Sequence, residues 1–154
     1  MTPETQKELS ESGYDITPID AATREHLAQD LDAEAYRVLL EHGTEAAFCG
    51  NLTDNKEVGV YACRLCGLPL FSSDSKFNSG TGWASFYQPF DKEHLKNIRD
   101  TKFGMVRNEI RCARCDGHQG HVFLDGPPPT GQRYCLNSAS LEFFPEGEEI
   151  PQKA

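Results

Sequence analysis

Two CxxC pairs limit how this chain can fold more than any other feature. Cys63-Arg64-Leu65-Cys66 and Cys112-Ala113-Arg114-Cys115 are separated by residues 67–111. Each follows a strand-like run and ends in a turn (Gly67; Asp116-Gly117), so that two thiolates can converge on one ion. Two such knuckles complete a tetrahedral four-thiolate site with metal–sulfur bonds of about 2.3 Å. Zinc is the expected ion, one per chain, held by Cys63, Cys66, Cys112 and Cys115. Four thiolates leave no open position for water, so the expected role is structural. The long separation means that the ion staples distant parts of one domain. In a secreted miniprotein the six cysteines would suggest disulfides, but pairing as CxxC in a chain of 154 residues without an export signal favours metal. A nucleobase deaminase is excluded because no H-x-E partners the CxxC pairs.

A length of 154 residues suits one domain with one core. The apolar fraction of 38% and charged fraction of 25% are those of a globular chain. The net charge of −9 repels phosphate backbones and anionic lipid, so neither a nucleic-acid nor a membrane partner is expected. Met1 to Ser12 is polar and lacks the apolar segment of a signal peptide. No run of about 18 apolar residues occurs. A cytoplasmic enzyme is the expectation.

Along the chain, residues 1–16 read as a loosely held N-terminal arm, 17–145 as a single domain, and 146–154 as a flexible acidic tail. Thr17-Pro18 can open a short helical segment. Asp32 reads as the N-cap of a clearer helix, Ala33 to His42, with Gly43 as its stop. Beyond Gly43 the pattern alternates. Val58 to Cys63 and Met105 to Arg111 read as strands, the second with Arg107, Glu109 and Arg111 on one face. His121 to Leu124, Gln132 to Asn137 and Ser140 to Phe144 are further strand candidates, and Asp91 to Asp100 a candidate short helix. The sum is a mainly β, antiparallel domain with its helices at the N-terminus.

Cys135 stands apart from the knuckles, in Gly131-Gln132-Arg133-Tyr134-Cys135-Leu136-Asn137-Ser138. On a strand, Arg133, Cys135 and Asn137 share a face, and a guanidinium beside a thiol favours the reactive thiolate. Upstream, His118 and His121 can hydrogen-bond to a substrate oxygen or protonate it. Each residue also has a bland reading: a core thiol, extra metal ligands, a solvated charge. Taken together they reach a cysteine-dependent enzyme, with a cysteine hydrolase still open and a non-catalytic zinc adaptor as the other alternative.

Three segments resemble the B-type peptide-methionine sulfoxide reductases. They are Ser79-Gly80-Thr81-Gly82-Trp83-Ala84-Ser85-Phe86, Gly117-His118-Gln119-Gly120-His121-Val122-Phe123-Leu124-Asp125-Gly126 and Arg133-Tyr134-Cys135-Leu136-Asn137-Ser138. Both knuckles and their separation belong to the same pattern, and the resemblance runs from about Ala35 to Phe144. It implies two antiparallel β-sheets in a sandwich or barrel-like core with short N-terminal helices. It implies reduction of the R epimer of methionine sulfoxide, mostly in oxidised proteins, with thioredoxin as reductant. The family's nucleophile matches Cys135, and its site residues match Trp83, His118, His121, Phe123, Asp125, Arg133 and Asn137. Trp83, in a Gly-rich loop, is expected at the surface as an apolar wall for the substrate methyl group. Many members carry a resolving cysteine where this chain has Thr81. A second sub-pattern, with cysteine in an Ala-Phe-Cys-Gly context, matches Cys49 as the resolving thiol.

Overall fold

The alternating run after Val58 forms β1 (Gly59–Cys63), in which Tyr61, Ala62 and Cys63 are fully buried. β2 (Pro69–Ser72) returns across the Gly67 turn to pair with one edge of β1, and β9 (Leu141–Pro145) pairs with the other. The computed structural model describes residues 8–46, 50, 52–101, 104 and 106–150. A second sheet contains β3 (Lys76–Phe77), β4 (Ala84–Phe86), β5 (Leu95–Asp100), β6 (Arg107–Cys112), β7 (His118–Phe123) and β8 (Arg133–Leu136). Its order is β3-β4-β8-β7-β6-β5, and every pairing in both sheets is antiparallel. The expected mainly β class with two antiparallel sheets is thus observed.

The sheets meet through aromatic side chains. Phe71 of β2 stacks on Phe86 of β4 with ring centroids 4.6 Å apart, and Tyr61 of β1 meets the same ring edge-on at 5.0 Å. Burying rings of this size removes roughly 150–250 Å² each from water and dominates the cohesion of a small core. The cleft described below opens on the side of the second sheet turned away from this core.

Two helices precede the sheets. α1 (Ala21–Ala28) is capped by Asp20, which accepts from Thr23 N at 2.7 Å, so the helix opens after Thr17-Pro18 rather than at it. Thr17 Oγ1 instead accepts from Glu8 N. α2 (Ala33–Glu41) starts at Asp32 as expected, with Ala35 N donating to Oδ1 at 2.8 Å. It stops one residue earlier than expected. His42 takes the left-handed conformation (φ 58°) and its imidazole turns to a carboxylate on β6, a tertiary contact that no local stop signal announces.

Three further differences follow from long-range partners. Asp91 to Asp100 is not a helix. Asp91 caps a single 3-10 turn, Lys92–His94, and the rest is β5, drawn out by six register pairs with β6. The stretch 8–16, expected to be loose, is tied to this segment. Ser10 Oγ lies 2.8 Å from His94 Nε2, Ser12 N and Oγ donate to Asp91, and Tyr14 meets Phe90 and His94 edge-on. At the other end, Glu146 N still donates to Val58 O. β2, β3 and β4 had no strand signal, being short and broken by Gly and Ser. No described helix is long and apolar enough to cross a membrane.

Candidate active site and metal centre

β1 ends at Cys63 and β6 ends at Cys112, so each sheet delivers one knuckle. Gly67 (φ 83°) closes the first, its N–H donating to Cys63 O. Asp116 (φ 62°), not Gly117, takes the left-handed position in the second, with its N–H on Cys112 O. The four sulfurs lie within 4.8 Å of one another, with Cys63–Cys115 and Cys66–Cys112 at 3.5 Å. A tetrahedron of 2.3 Å bonds has edges of about 3.8 Å, so the cluster fits a metal ion with little adjustment. Gln119 Nε2 and Gly117 N donate to Cys63 and Cys115 sulfurs at 3.4 Å, as expected of groups that orient thiolates. All four cysteines are buried. Their thiols are so close that they cannot all ionise without a cation: Cys66 and Cys115 are pushed well above the ordinary thiol range by their sulfur neighbours.

Cys135 lies on β8 with its sulfur in a separate cleft of about 300 Å³. Lining the cleft with it are Trp83, His121, Phe123, Arg133 and Asn137, and also Thr44, Thr81, Arg107 and Gly120. Register explains the grouping. Cys135 faces His121 across β8–β7, Arg133 faces Phe123, and Cys135 faces Ser85 across β8–β4. Directly opposed residues in antiparallel strands present side chains to the same face. Gly120 allows the approach, since a Cβ there would fall 2.0 Å from Cys135 O.

Burial pushes the Cys135 thiol up; Thr81, Arg133 and Ser85 pull it the other way without overcoming burial. The expected help from Arg133 is therefore only partial. Its guanidinium is engaged by Asp125, with Nε–Oδ1 2.9 Å and Nη2–Oδ2 3.2 Å, and it covers the Phe123 ring at 4.4 Å. Asp125 thus acts on the cleft through Arg133 and does not line it.

His121 enters the cleft with Nε2 3.3 Å from Asp100 Oδ2, and burial lowers its pKa. His118 does not line the cleft. It is buried, Nδ1 donates to Glu109 Oε2 at 2.7 Å, and burial pushes its pKa down to about 4. Its Nε2 is buried without a hydrogen-bond partner among the described residues. Glu109 also receives His42 Nδ1 at 2.8 Å and a bidentate Arg111 at 3.0 Å. Burial pushes the Glu109 carboxyl up, but these donors prevail and hold it at about 2. His42, Glu109 and His118 could cluster on a cation, yet Arg111 already neutralises that carboxylate.

Trp83 is half-buried rather than at the surface, because Nε1 donates to Glu45 O at 3.0 Å. Glu45 N donates to Asn137 Oδ1, and Asn137 Nδ2 donates to Gln119 O, so the Asn137 amide has both ends held. Leu52 N reaches Ser138 Oγ. Glu45 and Leu52 are thus each held by a residue that closely follows Cys135. Cys49, the expected resolving thiol, lies outside the described residues.

A family model described as the SelR domain matches residues 31–145, which hold the knuckles, both histidines and Cys135. The chain belongs to the SelR family. It is 61% identical over 143 residues to a peptide methionine sulfoxide reductase MsrB of Caulobacter vibrioides (strain NA1000 / CB15N), covering 93% of this chain and 90% of that protein. It is 56% identical over 140 residues to an MsrB of Xylella fastidiosa (strain M23), covering 91% and 90%. A third MsrB, of Thiobacillus denitrificans (strain ATCC 25259 / T1), is 56% identical over 117 residues, 76% of this chain and 89% of that protein.

Among the SelR residues of this chain, sequence reasoning passed over Glu109, Asp100, Arg107 and Glu45 as contributors to the site. Glu109 and Arg107 carried a signal, two charges on the inner-strand run Met105 to Arg111 where apolar residues would be the default. Asp100 and Glu45 carried none, since their partners are 21 and 92 positions away.

Proposed function

We propose that this protein reduces the R epimer of methionine sulfoxide, mainly in oxidised proteins, with Cys135 as nucleophile. The observation that carries the proposal is the cleft that Cys135 shares with two aromatic side chains, Trp83 and Phe123, and with an imidazole, His121, on the facing strand. A sulfoxide needs an apolar contact for its methyl group and a donor for its polar oxygen. Trp83 and Phe123 supply the first. His121 supplies the second from the facing strand, and a general acid there contributes roughly 10²–10⁴-fold. His118 then acts from behind the cleft by packing its ring against His121, 5.6 Å between centroids. Asn137 ties the Glu45 backbone to β7 beside the cleft.

The Cys135 sulfur attacks the sulfoxide sulfur, the S–O bond breaks, and oxygen passes to Cys135. The products are methionine and a sulfenic acid. The Cys49 thiol attacks that sulfenic acid, giving a Cys49–Cys135 disulfide and water. Thioredoxin, a dithiol, exchanges with the disulfide and restores both thiols. Three fixed points, for oxygen, methyl group and nucleophile, select one epimer. Zinc is the ion assigned to the four-cysteine cluster, which joins the sheets and takes no part in the chemistry. The catalytic domain spans 17–145, flanked by the arm 1–16 and the acidic tail 146–154, and the enzyme works in the cytoplasm.

The test offers blocked R- and S-methionine sulfoxide separately with dithiothreitol. The R epimer is consumed and the S epimer is not, and Cys135→Ser abolishes turnover while keeping metal and fold. Consumption of neither epimer, as for a hydrolase or a non-catalytic adaptor, overturns the proposal.

A further inference from the structure

A chain of hydroxyls that no step of the chemistry uses begins at the nucleophile. Thr81 Oγ1 lies 3.8 Å from Cys135 Sγ and 2.7 Å from Ser79 Oγ. Ser79 Oγ lies 2.7 Å from Ser85 Oγ, and Ser85 Oγ donates to the Trp83 carbonyl at 3.1 Å. Gly80 (φ 74°) and Gly82 (φ 91°) bend residues 79–83 back so that these three side chains can touch.

We infer that this chain is a hydrogen-bond relay in which Thr81 stabilises the Cys135 thiolate and the Trp83 carbonyl senses whether the thiol is ionised. The inference rests on reading Cys135 as the nucleophile. The count of hydrogens gives the mechanism. Four contacts link five groups: Cys135, Thr81, Ser79, Ser85 and the Trp83 carbonyl. A carbonyl only accepts, and each hydroxyl owns one hydrogen. With Cys135 protonated there are four hydrogens for four contacts. They run in one direction: S–H to Thr81, Thr81 to Ser79, Ser79 to Ser85, Ser85 to Trp83 O. A thiolate only accepts, so its loss of a proton leaves three hydrogens. Thr81 then turns its hydrogen to sulfur, Ser79 turns to Thr81, and Ser85 turns to Ser79. The contact given up is the one at Trp83 O, the far end.

Ionisation of the nucleophile thus loosens the backbone of the aromatic wall three side chains away. The hydrogen bond gained at sulfur is charge-assisted, whereas the S–H donor lost is weak, so Thr81 favours the thiolate on balance. Ser85, opposite Cys135 on β4, and Arg133 also favour the thiolate, and Thr81 makes the largest single contribution of the three. Arg133 is shared with Asp125, Asn137 has both ends of its amide bound, His121 is on Asp100, and Arg107 is on Asp100 at 3.4 Å.

The test needs no sulfoxide turnover, so its failure and that of the functional reading are separable. On the full-length, metal-loaded protein, the pH dependence of iodoacetamide alkylation is followed on the Cys135 peptide by mass spectrometry. Thr81→Val, which keeps shape and removes the hydroxyl, raises the midpoint by about one unit, a tenfold loss of thiolate below it. Thr81→Ser returns it to within about 0.3 unit. Trp83 is the only tryptophan, so its fluorescence reports the far end. In the wild type it shifts with the alkylation midpoint, and Cys135→Ser removes that shift. Ser79→Ala, which cuts the relay between the two ends, abolishes the fluorescence shift while Cys135 still titrates. A Thr81→Val midpoint equal to wild type overturns thiolate stabilisation. A fluorescence shift that survives Ser79→Ala overturns the relay.

Discussion

Gly120→Ala tests how closely the cleft depends on one missing methyl group. Gly120 sits on β7 opposite Leu136, next to the His121–Cys135 pair. A Cβ at 120 would lie 2.0 Å from Cys135 O and 3.0 Å from Cys135 C and Leu136 Cα, all backbone atoms. Ordinary contact begins near 3.4 Å, so the strands must part by about 1.4 Å. A ladder hydrogen bond of about 2.9 Å stretched that far exceeds 4 Å and is lost. Losing two, at about 1 kcal/mol each with a further 1–2 kcal/mol for the buried groups left unpaired, costs roughly 3–4 kcal/mol. At 2–4 °C per kcal/mol for a chain of this size, Tm falls by roughly 10 °C. The same parting moves Cys135 away from His121, so single-turnover sulfoxide reduction falls more steeply than the folded fraction does. Calorimetry and rapid-quench assay read the two effects. A variant that melts within about 3 °C of wild type and keeps its rate would falsify the claim that close β7–β8 approach builds the site.

Other consequences follow from the same geometry. Cys63→Ser lowers bound metal and thermal stability together, since a structural ion such as zinc contributes on the order of 10 kcal/mol of apparent energy coupled to folding; metal loss with unchanged melting refutes the staple between the sheets. His121→Ala slows single turnover by roughly 10²–10⁴-fold and His118→Ala by less, because only His121 lines the cleft; the reverse order in stopped-flow rates disproves the assignment. Cys49→Ser releases about one methionine per chain, leaves a sulfenic acid on Cys135 and recycles poorly with thioredoxin; normal thioredoxin-driven turnover rules out the resolving role. His118 has a folded pKa of about 4, below its ordinary 6.5. The unfolded chain therefore binds the extra proton between these values, so stability is full above pH 6.5 and falls as the pH drops toward 4. Urea unfolding between about pH 6.5 and 5, where the cluster keeps its metal, shows a shallower slope in His118→Gln than in wild type; identical slopes exclude His118 as the source.

Local signals were enough for the parts of this protein that repeat a short-range rule. The knuckles are four-residue turns, α2 carries its own cap in Asp32, and β1 is a short run of strand-forming residues that ends at a turn. Those readings needed no partner strand. The shared face of Arg133, Cys135 and Asn137 follows from strand periodicity alone, and all three line the cleft.

What only tertiary structure decided involves residues whose partners lie far along the chain. β5 looked polar and helix-like because it is an edge strand with Lys96 and Arg99 facing solvent, and it is extended only because β6 lies beside it. His118 and His121 are three apart, which on a regular strand puts them on opposite faces. The register slips where Ile110 pairs Gly120 and Arg111 pairs His118, leaving Gln119 as an extra residue, and the two rings come within 5.6 Å. That slip gathers His118 with Glu109 behind the cleft while leaving His121 inside it. It cannot be read from period-two alternation, because a bulge is defined by the partner strand and not by the strand that carries it.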